Sequence, residues 1–507
     1  MSTSALLLSY IRDFWYAILP TACIVYFLSV HYQSGLNKIP GPWLRSISVL
    51  PRMLSVHKGM SQEDDLLLHK RYGKIVRLAP NLVSISDLSV INDIYGIGTK
   101  FQKSPFYELS QAHDDEGLIP DPFILTNKEL HSRMKRNASN AYSLNGLVQM
   151  EPWIEPVTER LIEKLRLFAA NGEAVDFGTM LANYFMDGVF ALTFGRDFNY
   201  LDRGDVLEIS KMMAIASWYM AVFGQTTRSF QFRIFKPLIA MWAFRSLTGQ
   251  GEKDMAQLAA GEVENARERT SEEGPMTFLQ RLLLNQKSNT KLLHDREIMT
   301  HAFGNITAGS DTTATAMRSI VYHVLKNPDV YAKLRSEIRD ANLSLPVSFA
   351  QAHALLYLGF VIKEGMRVHP SVGMLLARMV PAEGAQLCGY QISGGVEVGL
   401  NPWVLHRNSE IYTDPDRFWP DRWSPSVSDE GRLREMNRAF FSFGHGSHTC
   451  SGRWISIMEM TKLIPTLLLH FDMELVDGGK TYGFDNYWFM MQEGLSVKFT
   501  SRTRDGV

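Results

Sequence analysis

The most informative stretch of the sequence reads FGHGSHTCSGR and runs from Phe443 to Arg453. It places Cys450 in a glycine-rich loop, directly before a helix-like segment from Trp454 to Leu469. Glycine allows close backbone approach and positive φ angles. Backbone N–H groups at the start of a helix can stabilise a nearby thiolate. The stretch therefore indicates a cysteine whose surroundings suit a metal ligand.

Three interpretations of this loop compete. A lone cysteine is most often a plain buried residue. Zinc bound by His445, His448 and Cys450 is a second interpretation, although three closely spaced ligands on one loop make an unusual zinc site. A thiolate that ligates heme iron is the third. The loop by itself leaves these interpretations open.

Three further patterns precede the loop. They are AGSDTT at 308–313, EGMR at 364–367 and PDRW at 420–423. Together with the F-x-x-G-x-x-x-C-x-G spacing of the loop, they resemble, in the same order, the motifs of the cytochrome P-450 family. Other stretches of the sequence, such as YGKIVRLAPN at 72–81, are similar to those of fungal microsomal members of this family that act in secondary metabolism.

The resemblance implies a mainly α fold with small β-sheets (α+β), the cytochrome P-450 fold, preceded by one N-terminal transmembrane helix. The residue patterns agree, because no repeat or composition shift divides residues 45–507, which we interpret as a single heme-thiolate monooxygenase domain. Helical patterns cover Gln62–Tyr72, Glu129–Ser143, Pro152–Ala170, His294–Leu325 and Ala354–Val368. Strand-like runs occupy Lys74–Ser86, 374–400 and 494–499.

The resemblance also implies roles for the residues of a heme site. Cys450 would be the axial ligand of heme b, and Phe443 would pack near its sulfur. The heme propionates would contact His448, Arg378, His131 and Lys135. His131 and Lys135 stand where the family usually has W-x-x-x-R, so this pair departs from the common pattern.

Glu364 and Arg367 are three residues apart and share one face of a helix. On spacing alone they could form an exposed ion pair of small energy. The resemblance adds Arg422 as a third member of a buried network that holds the fold around the heme.

Asp311 and Thr312 lie within an otherwise apolar helical stretch, where Gly309 weakens the helix. A threonine hydroxyl in this position can simply bond back to its own helix. The resemblance implies catalytic roles instead, with Thr312 holding a water molecule and Asp311 relaying protons during oxygen activation.

The segment from Phe14 to Val30 contains no charge and predicts a membrane-spanning helix at the short end of the usual length. Aromatic residues at both ends suit membrane interfaces. The alternatives are a cleaved signal peptide and a buried globular helix. Lys38, Arg45 and Arg52 follow the segment, which predicts a cytoplasmic body. We expect a lumenal tail and signal anchor over 1–32 and a proline-rich linker over 33–44.

The resemblance also implies that several segments face the substrate. They are Phe101–Phe123, parts of Met212–Phe230, Phe303–Thr307, Val372–Leu376 and Tyr487–Met491. Their apolar side chains predict an apolar small-molecule substrate. The Met- and aromatic-rich stretch Met212–Phe244 could be core, a substrate lid or a second membrane contact.

The composition excludes other classes of protein. Lys plus Arg total 52 against 53 for Asp plus Glu, which argues against a nucleic-acid binder. Three cysteines in 507 residues exclude a disulfide scaffold. The resemblance to the cytochrome P-450 family implies a monooxygenase of the endoplasmic reticulum membrane that receives NADPH electrons from a separate reductase, with cytochrome b5 as a second donor. The alternatives are a heme-thiolate isomerase or dehydratase, and a non-enzymatic heme sensor.

Overall fold

A computed structural model describes residues 3–111, 113–114, 117–226, 249–268, 274–288, 293–476 and 483–502. The α-helices are α1 Thr3–Tyr32, α2 Trp43–Ile47, α3 Leu50–His57, α4 Ser61–Tyr72, α5 Ile91–Tyr95, α6 Lys128–Ala138, α7 Leu144–Val148, α8 Glu155–Asn171, α9 Phe177–Phe194, α10 Tyr200–Arg203, α11 Ile209–Phe223, α12 Gly249–Glu268, α13 Phe278–Ser288, α14 Asp295–Lys326, α15 Pro328–Asp340, α16 Phe349–His353, α17 Leu356–Val368, α18 Pro402–His406, α19 Glu430–Ala439 and α20 Arg453–His470.

The strands are short, and they form one five-stranded sheet and several smaller ones. They are β1 Ile75–Ala79, β2 Leu82–Ile85, β3 Gln102–Lys103, β4 His113–Asp114, β5 Gly117–Leu118, β6 Ala174–Asp176, β7 Arg378–Met379, β8 Ala385–Leu387, β9 Tyr390–Ile392, β10 Glu397–Gly399, β11 Phe471–Leu475, β12 Gly483–Tyr487, β13 Phe489–Glu493 and β14 Ser496–Ser501. The prediction of a mainly α fold with small β-sheets is confirmed.

The five-stranded sheet has the order β1-β2-β10-β7-β3. Strand β10 runs parallel to β2, and the other pairs are antiparallel. In the last pair Lys103 of β3 lies opposite Arg378 of β7. This register brings two basic residues, 275 positions apart in the sequence, to the same edge of the sheet.

Helix α14 is the long helix predicted from 294 to 325, and it is continuous over Asp295–Lys326. It packs along α9, and Gly309 lies in this contact. A Cβ atom at Gly309 would lie 2.9 Å from Val189 Cγ2. The glycine therefore permits close helix packing, and the helix remains unbroken at the position where the sequence suggested a weak point.

One predicted helix ends early. The basic helix expected over Glu129–Ser143 stops at Ala138, and Ser143 instead caps α7 by accepting from Gly146 N at 3.2 Å. Ser139 Oγ donates to the carbonyl of Arg136 at 2.7 Å. Serine side chains compete with helical backbone bonds in this way, which explains the shorter helix.

The apolar span of α1 and the segment after it covers Phe14–Lys38 with a mean hydropathy of 1.5, and its side chains are largely exposed. The helix ends at Tyr32, where the predicted anchor ends. Beyond it, Leu36 and Ile39 are buried against the body. The buried Arg77 donates to the carbonyl of His31 at 2.7 Å and to that of Val30 at 3.1 Å. The linker is therefore packed against the globular domain.

The Met- and aromatic-rich stretch is described only up to residue 226, so its part from 227 to 244 lies outside the described residues. In the described part, Met220, Ala221 and Val222 are buried with Phe106 and Trp488. This part of the stretch is core.

Candidate active site

A cavity of about 300 Å³ lies between α14 and the loop that carries Cys450. Both the loop and the middle of α14 line it, through Cys450 on one side and Ala308, Gly309 and Thr312 on the other. Arg378, His131, Lys135, His448 and Phe443 also line the cavity. The structure thus brings together seven residues of the predicted site, Cys450, Thr312 and these five, around one space.

Cys450 is held by its backbone at the end of the glycine-rich loop. Its N–H donates to the carbonyl of Phe443 at 2.8 Å, and α20 begins at Arg453. The sulfur is exposed to the cavity but lies deep inside the protein, and this burial raises the pKa of the Cys450 thiol. Backbone N–H groups of Gly452 and Arg453 and the cation of Lys135 oppose that rise in pKa. The site thus supplies the interactions that stabilise a thiolate.

Zinc binding is not supported. Among the described residues, no group of three or more His, Cys, Asp or Glu side chains is arranged to hold a metal ion. His445 instead stacks on Phe441, with ring centroids 5.7 Å apart. The zinc interpretation of the loop is therefore discarded.

His131 and His448 stack on each other at the cavity wall, with ring centroids 4.0 Å apart and planes at 24°. Burial, then the cations of Lys103, Lys135 and Arg378, lower the pKa of His131 to about 3. Its Nδ1 atom is buried, and within the described part of the chain it has no hydrogen-bond partner. Burial, then the cation of Arg378, also lowers the pKa of His448. Both rings therefore favour the neutral form, and His131 retains an unused polar atom.

Lys135 lies one turn after His131 on α6 and also contacts the loop. Its Nζ donates to the carbonyl of Ser447 at 2.9 Å and also to that of Thr449. It therefore fastens the Cys450 loop to α6. Its predicted contact with a propionate stays a prediction.

The cavity is also lined by two charged residues, Lys103 and Asp121. Neither residue was identified from the sequence as part of the site. Lys103 Nζ lies 4.1 Å from the ring centroid of Tyr107 and 4.9 Å from that of Phe123, and it donates to the carbonyl of Phe123. Both residues fall inside the segment Phe101–Phe123, which was predicted to be an apolar substrate wall. A lysine three residues before an aromatic pair gives no local signal of burial, which is why the sequence did not reveal it.

The cavity carries an excess of basic groups. Lys103, Lys135 and Arg378 face it, and Asp121 is the one carboxylate among the described lining residues. Burial, followed by repulsion from Arg378, lowers the pKa of Lys103 well below its ordinary value. A ligand that brings two carboxylates would relieve this repulsion. The residues present therefore fit heme, whose two propionates are anionic.

Glu364 and Arg367 form the buried network that the resemblance implied, and the exposed ion pair is excluded. Glu364 Oε1 accepts from Arg367 Nη2 at 2.8 Å and from Arg422 Nε at 3.0 Å. Its other oxygen accepts from Trp423 Nε1 at 2.9 Å. Burial alone would raise the pKa of Glu364, but Arg367 and Arg422 hold it below the ordinary value. None of the three charged residues lines the cavity.

Thr312 lines the cavity, and its hydroxyl donates to the carbonyl of Ala308 at 2.6 Å. This is the bond back to its own helix that the simpler alternative expected. Asp311 does not line the cavity. Burial raises its pKa to about 6, against the opposing cation of Arg318. The two residues thus lie on different faces of α14, and their predicted catalytic roles stay predictions.

The predicted substrate segments contribute unequally to the cavity. Trp488 and Phe489 line it, as do Val372 and Leu376, Gly304 and Asn305, and the pair Pro122 and Phe123. None of the described residues from 212 to 226 lines it, and 227–230 lie outside the described residues.

Comparison with known proteins agrees with this site. The family model described as Cytochrome P450 matches residues 40–498. The match covers the linker prolines and all four motifs, and it confirms the resemblance found in the sequence.

Curated relatives from fungi cover nearly the whole chain. The cytochrome P450 monooxygenase cicH of Emericella nidulans is 32% identical over 94% of this chain and 96% of its own length. A cytochrome P450 monooxygenase of Aspergillus terreus is 34% identical over 86% and 90%. Pisatin demethylase of Fusarium vanettenii is 30% identical over 93% and 90%.

Proposed function

The chain belongs to the cytochrome P450 family, and we propose that it is a membrane-anchored, heme-thiolate monooxygenase of fungal secondary metabolism. It would insert one oxygen atom from O2 into an apolar small molecule such as a terpenoid, polyketide or alkaloid. The observation that carries the proposal is the position of Cys450, whose sulfur opens onto the cavity opposite Thr312.

Heme b would lie in this cavity with its iron on Cys450 Sγ. The Cys450 thiolate would donate electron density to the heme iron, which favours cleavage of the O–O bond. Gly452 and Arg453 would hold the sulfur as a thiolate through their N–H groups. Arg378 and Lys135 would bind the propionates, together with Lys103 and the stacked rings of His131 and His448.

The remaining residues position the substrate and move protons. Phe123, Trp488 and Phe489 provide an aromatic wall, which suits a substrate with a large apolar face. Thr312 would turn its hydroxyl from the Ala308 carbonyl toward the cavity and hold a proton there. Asp311, with a pKa of about 6, is suited to accept and release protons near neutral pH.

Electrons would come from NADPH through a separate reductase, with cytochrome b5 as a second donor. The α1 helix would anchor the chain in the endoplasmic reticulum membrane with the body in the cytoplasm. The exposed apolar side chains of α1 and the basic residues after it support this arrangement.

The test is the absorption spectrum of the reduced protein with carbon monoxide. The full chain in membranes should show the red-shifted band typical of thiolate ligation. Cys450→Ala and Cys450→Ser should abolish this band. Cys388→Ala is the matched control, because Cys388 lies on the turn between β8 and β9, away from the cavity. Loss of the band in the control variant, or its retention without Cys450, would overturn the proposal.

A further inference from the structure

A ring of hydrogen bonds joins the middle of α14 to the hairpin β12–β13 through Ser371. Ser371 Oγ donates to the carbonyl of Thr312 at 2.7 Å. The carbonyl of Ser371 accepts from Met490 N at 3.0 Å. The ring closes where Thr315 Oγ1 donates to the carbonyl of Met490 at 3.1 Å.

The hairpin end of this ring carries the aromatic wall of the cavity. Trp488 and Phe489 directly precede Met490, and both line the cavity. Val372, next to Ser371, forms an isolated bridge with Phe489. A molecule that presses on the aromatic wall therefore presses on a strand that is hydrogen bonded, through one serine, to the peptide of Thr312.

We propose that Ser371 is a positioning residue that couples occupancy of the aromatic wall to the turn of α14 containing Thr312. The inference rests on the proposed function, because that function gives the turn containing Thr312 a role in proton delivery. It goes beyond that function by making the turn respond to the substrate.

The energy of one bond is sufficient for such coupling. A backbone carbonyl has two lone pairs, so Thr312 can accept from its helical partner and from Ser371 together. A hydrogen bond of this kind contributes about 1 kcal/mol. Its loss corresponds to about a fivefold change in the opening equilibrium of the turn.

A second serine provides a matched control for purely structural effects. Ser319 Oγ donates to the carbonyl of Gly365 at 2.9 Å and is fully buried. It joins α14 to α17 two turns beyond Thr312, and it does not line the cavity. Ser319→Ala therefore removes a comparable bond of α14 without touching the ring.

The experiment uses the full-length holoenzyme in lipid nanodiscs. The infrared stretching band of carbon monoxide on the reduced protein reports the polarity beside Thr312. Hydrogen exchange of the segment 308–316 reports opening of the turn, measured with and without econazole as a probe that fills the cavity. The variants are Ser371→Ala, Ser371→Thr, Thr315→Val and Ser319→Ala.

We expect Ser371→Ala to shift or broaden the carbon monoxide band and to speed exchange of 308–316 about fivefold. Econazole should slow this exchange in the wild type and lose that effect in Ser371→Ala and Thr315→Val. Ser371→Thr keeps the hydroxyl and should restore both readouts, and Ser319→Ala should leave the band unchanged.

If Ser371→Ala behaves like Ser319→Ala in the infrared band, the inference is wrong. If Ser371→Ala does not fold, Thr315→Val decides, and an unchanged econazole effect there overturns the coupling. A wild type without the red-shifted carbon monoxide absorption would overturn the proposed function itself, so the two failures are distinguishable.

Discussion

Gly446 lies against the backbone of Tyr95 so closely that a Cβ atom at this glycine would be 1.8 Å from the Tyr95 carbonyl oxygen. Its φ angle is +63°, in the region that favours glycine. The close approach seats the Cys450 loop on α5, and Tyr95 OH in turn donates to the carbonyl of Leu376 at the cavity wall. The contact between Gly446 and Tyr95 therefore sets the position of the Cys450 loop relative to the cavity wall.

Gly446→Ala should therefore displace the loop. Both the steric overlap and the positive φ oppose a side chain, so we expect a loss of about 2 kcal/mol or more in the free energy of unfolding. Heme content per purified protein should fall with it. Gly359→Ala on α17 is the control, because a Cβ atom there meets nothing within 4 Å. Equal heme content in the two variants would contradict this account.

Arg367→Lys tests the buried network. Arg367 donates through Nε and Nη2 to Glu364 and through Nη1 to the carbonyl of His406 at 2.8 Å. Lysine cannot reproduce this fork, so we expect a loss of about 3 kcal/mol in the free energy of unfolding. Thermal loss of heme absorbance measures it. Arg434→Lys is the control, because its pair with Glu430 is exposed and four residues apart; a similar loss there would refute the role of the network.

The sequence predicted the parts of the site that local patterns encode. The Cys450 loop, the Glu364–Arg367 pair and the long helix α14 each depend on residues within a few positions of one another. Lys103 and Asp121 lie in a segment that was predicted to face the substrate, but it was predicted to do so as an apolar wall. The position of Lys103 beside Arg378 depends on the pairing of β3 with β7, which no local pattern shows. Ser371, which also lines the cavity, was missed because its contacts are with distant parts of the chain. Helix α6 ends early because the side chains of Ser139 and Ser143 hydrogen bond to the backbone there. A helical pattern of apolar residues does not show where such bonds replace the helix.

Arg136, Arg438 and Arg453 are exposed on the segments next to the Cys450 loop, whereas Arg133 is paired with Glu297. We expect the exposed three to dock the reductase. Complementary charge raises the association rate, and salt screens it with a Debye length of about 8 Å. The double variant Arg136→Glu/Arg438→Glu should accept its first electron roughly tenfold more slowly at low salt, as measured by stopped-flow reduction. Lys498→Glu on β14 should have no effect, and an unchanged rate in the double variant would remove the docking assignment.

Thr312→Ala should separate oxygen consumption from product formation. A positioned proton donor typically contributes about 10²–10⁴-fold to rate. Without it, the reduced oxygen is released from the enzyme as hydrogen peroxide and no product forms. The variant should keep its heme spectrum and its substrate-induced spectral shift while product per NADPH falls. Thr312→Ser should be partly active. Full coupling in Thr312→Ala with a substrate that lacks hydroxyl groups would show that the threonine does not serve in proton delivery.

Asp311→Asn should change stability with a pH dependence of known sign. Burial raises the pKa of Asp311 to about 6 from 3.8, so the folded state holds this proton more tightly than the unfolded chain does. The carboxyl group therefore costs no stability below about pH 4, and its cost grows as the pH rises to about 6 and then stays constant. Asparagine has no such cost. Asp311→Asn should accordingly melt at a higher temperature than the wild type at pH 8, and this advantage should shrink at pH 5.

Product formation by Asp311→Asn should nevertheless fall at both pH values, because asparagine cannot relay a proton. Thermal melts of the reduced carbon monoxide complex at the two pH values, beside product assays, measure both effects. A stability difference that does not change with pH would show that Asp311 titrates normally in the folded protein.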